Sequence, residues 1–392
     1  MAELTYHTAG ESHGPGLITL VNGLPAGLPV DTDFINTELR RRQGGYGRGG
    51  RQKIETDAAT FLAGVRRGRT MGSPVVMQIP NRDSRLDDAE RTPPVYRPRP
   101  GHADLAGSIK WLTTDCRDTL ERASARETAA RTAAGALARC FLRAVGIEVF
   151  GYLRSMLDVE THGEPTAETL DEWRRCRDDS AVYCPDESAT ERMVEHIRQA
   201  KVDRDTVGGI VTAYIFGCPI GLGSSMNWYE KLDSRIAGAV MGIQAIKSVE
   251  IGMGRDVAAH RGSDVHDPIA YDAARREQPH LGFVRSRNHA GGLEGGMTNG
   301  MPVVVHAAMK PIATLLQGMP SVHLETKQAE RSDYERSDVS AVSAASVVVE
   351  NVVAFEIARA FRAKFGGDSM HEVEASYAAY LKAARSLPLE QD

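Results

Sequence analysis

Gly23-Leu24-Pro25-Ala26-Gly27-Leu28 returns late in the chain as Gly217-Cys218-Pro219-Ile220-Gly221-Leu222. Glycine tolerates the positive φ of a tight turn and proline presets φ near −65°, so both copies read as the same bend. Working outward, each copy follows an apolar, strand-like run (17–21 and 210–216) and precedes a helical pattern (32–42 and 231–246). A second pair repeats the relation. Gly72-Ser73-Pro74-Val75-Val76 and Gly300-Met301-Pro302-Val303-Val304 each open a strand-like run. A long helix of small and apolar residues closes each series, at 123–145 and 342–365. The order strand, turn, helix, strand, long helix thus occurs twice.

Strands beside helices, without strict β/α alternation, favour an α+β layered fold over a doubly wound parallel sheet. The expectation is one domain over 1–392, with similar halves at about 8–155 and 207–366. Alanines at 123, 125, 129, 130, 133, 134, 136 and 138 make the first long helix small-surfaced all round, which suits a central position. Residues 158–206 are more polar and read as a peripheral excursion with short amphipathic helices at 167–177 and 187–202. One further helix follows Gly367. The most apolar long stretch, 339–361, is interrupted by Glu350 and Glu356 and reads as a buried helix, not a membrane span.

The 392 residues, 42% apolar and 25% charged, suffice for a sizeable core. A net charge of −5 gives no sign of a bulk polyanion partner. Arginine outnumbers lysine 38 to 9, which reflects codon bias or bidentate recognition of phosphate and carboxylate. Five cysteines, an odd number without CxxC spacing, argue against a disulfide framework and a zinc site and fit a reducing cytosol. The first residues lack the pattern of a signal peptide. No P-loop, HExxH, EF-hand or GxSxG pattern occurs, and no metal site is expected.

Five segments can carry chemistry. Gly10-Glu11-Ser12-His13-Gly14 places a titratable ring and a hydroxyl between glycines. Arg40 to Arg51 ends a helix in arginines and opens a glycine-rich loop, suited to wrapping a phosphate. Its GxGxxG follows a helix instead of opening one, which excludes the dinucleotide reading. An RGG-like RNA-binding segment is the competing reading of 40–51. Arg97-Pro98-Arg99-Pro100-Gly101-His102 stiffens a loop that ends in a proton donor beside two cations. Glu121 to Glu127 begins the first long helix, with Ser124 as N-cap and Glu127 completing a capping box. Lys310 to Thr314 follows a strand, and Asp338 beside Arg336 precedes the second long helix as another candidate cap.

In this order, these segments resemble chorismate synthase from about Thr8 to Phe365. GESHG at 10–14, GYGRGGR at 45–51, RPGHADLAG at 99–107, ERASARETAAR at 121–131, MGIQAIKSVEIG at 241–252, GGLEGGMTNG at 291–300, MKPIAT at 309–314 and RSDVSAV at 336–342 carry the resemblance. It implies a β-α-β sandwich with helices between two antiparallel sheets, a cytoplasmic homotetramer, and no nucleic-acid or membrane partner. It implies conversion of 5-enolpyruvylshikimate-3-phosphate to chorismate, the last step of the shikimate pathway to the aromatic amino acids. Reduced FMN is required without net redox change. By the same resemblance His13, His102, Asp338, Ser12 and Ser124 are catalytic, and Arg42, Arg48, Arg99, Arg126 and Arg336 bind the anionic substrate. Arg122, Ala123, Ser124, Gln244, Ala245, Gly295, Lys310, Pro311, Ile312, Ala313, Thr314 and Arg336 match flavin-binding positions. An external reductant and an intrinsic NAD(P)H activity both stay open as the source of reduced flavin. The sequence departs from many relatives at Ser343, where proline is common, and at Gln52, where methionine is.

Overall fold

The computed structural model describes residues 3–50, 54–335 and 337–389. Gln52 and Arg336 therefore lie outside the described residues. Nine strands form the two main sheets: β1 (Thr5–Ala9), β2 (Gly16–Asn22), β3 (Thr60–Ala63), β4 (Val75–Pro80), β5 (Glu148–Met156), β6 (Val159–Glu160), β7 (Gly209–Phe216), β8 (Ile246–Ile251) and β9 (Val303–Met309). Ten α-helices accompany them among the described residues. The first six are α1 (Thr32–Gln43), α2 (Asp104–Lys110), α3 (Arg117–Ala123), α4 (Thr128–Ala144), α5 (Leu170–Asp179) and α6 (Glu187–Val202). Then come α7 (Leu232–Met241), α8 (Gly262–Val265), α9 (Val342–Phe365) and α10 (Met370–Arg385).

Two antiparallel sheets, ordered β1-β2-β4-β3 and β8-β9-β7-β5-β6, enclose α4 and α9. Helix α4 packs on the first sheet, α9 packs on the second, and the two pack on each other, with α1 and α7 alongside. This is the α+β sandwich expected. Small residues make the helix contact close: a Cβ on Gly135 would lie 2.2 Å from the Asn351 carbonyl oxygen. Glu350 and Glu356, which interrupt the apolar run, are buried and paired. Glu350 lies 3.0 Å from Arg139 and 3.1 Å from Arg41, and Glu356 lies 3.2 Å from Arg235. Pairing offsets the desolvation that would make a lone buried carboxylate costly. No helix among the described residues is long and apolar enough to cross a membrane.

The two Gly-Pro turns are built alike. Val21 pairs with Val75 at the end of the β2–β4 ladder, as Ile215 pairs with Val303 in β7–β9. The Thr70 hydroxyl donates to the Pro25 carbonyl and accepts the Leu28 N–H; the Thr298 hydroxyl donates to the Pro219 carbonyl and accepts the Leu222 N–H. Gly23 and Gly27, at φ 84° each, match Gly217 and Gly221 at 80° and 85°.

Three local expectations change. The first long helix is interrupted: Ser124 is extended between α3 and a short 3-10 turn, Ala125–Glu127, that leads into α4. Ser124 does accept the Arg126 N–H, but Glu127 completes no capping box. Its carboxylate instead accepts hydrogen bonds from Thr8 and Gln244 across the fold. The helix predicted at 231–246 ends at Met241, and Ile246 begins β8, because β9 offers a ladder there. Asp338 does not cap α9, whose N-cap is Ala341 without a side-chain bond.

Candidate active site

A cavity of about 540 Å³ opens where the entrances of α4 and α9 meet the turn at 242–245 and the loop at 310–314. Its volume falls in the range of small-molecule sites. The turn after β1 brings Ser12 and His13 to one wall. Asn81, at the end of β4, donates from Nδ2 to the carbonyls of Glu11, Ser12 and Gly14, fixing the turn. The Ser124 hydroxyl donates to that of Ser12 at 3.1 Å, so the break before α4 places both in the cavity. His13 Nδ1 lies 2.9 Å from Glu121 Oε1, and its Nε2 lies 3.3 Å from Arg85 Nη2 and 3.8 Å from Asp83 Oδ2.

His102 enters from the proline loop, with Nδ1 against Asp104 Oδ1. The fully buried Asp104 also accepts from Arg99 Nε at 2.8 Å and Nη2 at 3.0 Å, and Arg99 Nη1 donates to Thr314 at 2.9 Å. Burial alone would raise the Asp104 pKa. Hydrogen bonds from His102 and Arg99, with the field of both, outweigh it and hold the carboxyl well below its usual range.

The remaining cations arrive from three elements. Arg126, before α4, donates from Nη1 to both Asp57 oxygens at 2.7 and 2.8 Å. Arg42, at the end of α1, lies 3.5 Å from Asp57. Burial pushes Arg42 down to about 10, with Arg126 and Arg48 adding to the effect and Asp57 opposing it. Arg48 Nη1 sits 2.7 Å from Asp338 Oδ2, and Asp338 also accepts the Gly49 N–H at 2.5 Å. Lys310 donates to the Gly101 carbonyl at 2.7 Å; burial, reinforced by Lys247, lowers its pKa.

The cavity thus gathers Ser12, His13, Arg42, Arg48, Arg99, His102, Ala123, Ser124, Arg126, Gln244, Ala245, Lys310, Ile312, Ala313, Thr314 and Asp338. Pro311 is not on its wall. Arg122 turns outward to the carbonyls of Gly10 and Thr8. Gly295 lies in the hairpin Leu293–Glu294/Met297–Thr298, which abuts the start of α7 and not this chain's cavity. The sequence reading did not single out Glu121, Asp104, Asp57, Asn81, Asp83 or Arg85. Glu121 and Asp104 stand inside quoted motifs; the other four carry no local signal.

Gln244 Oε1, Arg48 Nε and Arg126 Nη2 are buried without a hydrogen-bond partner among the described residues. Beside these polar atoms stands an apolar wall of Leu120, Ile243, Ala344, Ala345 and Val348. Ala245, at φ 68°, holds the 242–245 turn against β9 through the Lys310 N–H. Apolar wall, convergent donors and cations fit a planar ring system carrying a phosphate. Among the described residues no group of three or more His, Cys, Asp or Glu could hold a metal ion.

Comparison with known proteins agrees with this geometry. Residues 4–361 match the family model described as chorismate synthase. The chain is 51% identical over 381 residues to the chorismate synthase of Desulforamulus reducens, covering 95% of this chain and 97% of the relative. It is 49% identical over 394 residues to that of Geobacter sulfurreducens, covering 98% of this chain and 100% of the relative. A crystal structure of chorismate synthase superposes with a TM-score of 0.80 at 38% identity, covering 99% of this chain and 100% of that one.

Proposed function

This chain belongs to the chorismate synthase family and is a lyase, and from that premise we propose that its cavity converts 5-enolpyruvylshikimate-3-phosphate to chorismate by anti-1,4-elimination. The C6 proton and the 3-phosphate leave, and a second ring double bond forms. The observation that carries this reading is two histidines, each with Nδ1 on a buried carboxylate, in one arginine-lined cavity.

Reduced FMN, when bound, would supply transient electron density that eases loss of phosphate. Gln244, Ala245, Ala123, Ser124 and the 310–314 loop would hold it. His102 donates a proton to the departing phosphate, steadied by Asp104. Asp338 takes part in removing the C6 proton. Arg42, Arg48, Arg99 and Arg126 neutralise one phosphate and two carboxylates; Arg336, outside the described residues, belongs to the same proposal. Ser12 and Ser124 link the His13 turn to the entrance of α4. An acid placed in this way contributes about 10²–10⁴ in rate, and orientation supplies much of the remainder.

We extend the proposal to a cytoplasmic homotetramer. All five cysteines are unpaired, as a reducing compartment favours. Trp111, Leu112, Met226 and Trp228 are largely exposed apolar side chains, as subunit interfaces require. RNA binding by the 40–51 loop would need its arginines on an open face, whereas Arg42 and Arg48 turn inward. Oxygen-free incubation with reduced FMN and the enolpyruvyl substrate tests the function. Chorismate and phosphate should appear in equal amounts, and no product would overturn the proposal.

A further inference from the structure

Glu121, beneath His13, has no role in the reaction above. It is 2% exposed, and three of its atoms hold the 12–13 turn. Its carbonyl accepts the Ser12 N–H at 3.0 Å, Oε2 accepts the His13 N–H at 2.8 Å, and Oε1 lies 2.9 Å from His13 Nδ1. Burial would raise its pKa, but the bonds from His13 and the charge of Arg117 outweigh that and hold it below the usual carboxylate range. An ionised carboxylate only accepts, so the proton between the two groups belongs to Nδ1.

We infer that Glu121 is a positioning residue that fixes the Nδ1–H tautomer of His13 and leaves Nε2 as the atom that exchanges a proton or hydrogen bond with the cavity's occupant. Its effect on turnover rests on the proposed function; the tautomer does not. Which ring nitrogen carries the proton is set by the hydrogen bonds the ring makes, and here the bond from Nδ1 to Glu121 sets it. The charged groups facing His13 among the described residues are Glu121 from α3, itself 3.5 Å from Arg117, and Asp83 and Arg85 from the loop after β4. Arg85, a donor 3.3 Å from Nε2, favours Nε2 without its proton in the neutral ring. Asp104 stands under His102 in the same relation on another wall.

Magic-angle-spinning NMR of histidine-selective ¹⁵N-labelled protein at alkaline pH tests this, with the His13 signals assigned by their loss in His13→Asn. The wild-type ring should show a protonated Nδ1 and a bare Nε2. Glu121→Gln must turn its one amide oxygen to the His13 N–H, so its NH2 meets Nδ1 and should move the ring toward Nε2–H while the turn is kept. Glu121→Ala should move the ring toward Nε2–H and lower kcat by about 10²-fold or more, with KM changed only a few-fold. A wild-type ring in the Nε2–H form overturns the inference even if the alanine variant fails to fold. So does a tautomer unmoved in Glu121→Ala, or one that moves while kcat holds. An Nδ1–H ring in a protein that makes no chorismate upholds the tautomer and removes the functional reading instead.

Discussion

Arg48 Nη1 lies 2.7 Å from Asp338 Oδ2, so an ion pair joins the loop after α1 to the entrance of α9 at the cavity wall. The carboxylate proposed to act on C6 is thus oriented by a cation proposed to bind substrate. Asp338→Asn keeps the shape and removes the base; kcat should fall about 10²-fold or more with the fold intact. Arg48→Ala should act mainly on KM. Steady-state kinetics of both variants check this, and wild-type turnover in Asp338→Asn would remove that residue from the mechanism.

The same loop depends on one glycine. Gly45 has φ 97°, and a Cβ there would lie 2.4 Å from the Ser343 Cβ. Gly45→Ala should cost about 1–2 kcal/mol from backbone strain alone. A lower Tm and a raised substrate KM are expected, and Ser343→Gly should restore part of the loss by relieving the clash. Full stability in Gly45→Ala would show that the loop's conformation is not as described.

Tyr183 belongs to the segment expected to be peripheral, yet its hydroxyl donates to the Arg41 carbonyl at 2.9 Å, and the Ala181 carbonyl accepts the Tyr46 N–H at 2.7 Å. The excursion therefore braces the loop that carries Arg42 and Arg48. Tyr183→Phe should cost about 1 kcal/mol and raise KM a few-fold while leaving kcat nearly unchanged. An unaltered KM would confine Tyr183 to packing.

Asp104 gives a pH prediction. Its pKa is lowered in the folded chain by His102 and Arg99 against the opposing effect of burial. On acidification the unfolded chain takes up its proton first. The stabilisation is therefore fully present above the ordinary carboxylate value and is lost as pH falls below it. Denaturant midpoints measured from pH 7 down to pH 3 should show a shallower decline in Asp104→Asn than in wild type. Parallel declines would contradict the assignment.

Legibility followed the range of the interactions. The twin turns could be read because Gly23, Pro25, Gly217 and Pro219 act through their own backbone. Helix α9 could be read because its apolar run is long and unbroken by glycine or proline. Ser124 could be read as an N-cap, but the 3-10 turn Ala125–Glu127 behind it could not, since the alanines and arginines there favour α-helix. The helix expected at 231–246 overran Met241 as far as Ile246, the first residue of β8, because the partner β9 begins more than fifty residues later. Asp57 and Asn81 carried no motif, and their part is set by lying under Arg126.

The most direct test of the central claim is an oxygen-free single-turnover experiment with reduced FMN, comparing wild type with His102→Ala. Chorismate formation in the variant should be slower by about 10²-fold or more, with substrate affinity changed only a few-fold. An equal rate in both proteins would contradict the assignment of His102 as the acid that releases phosphate.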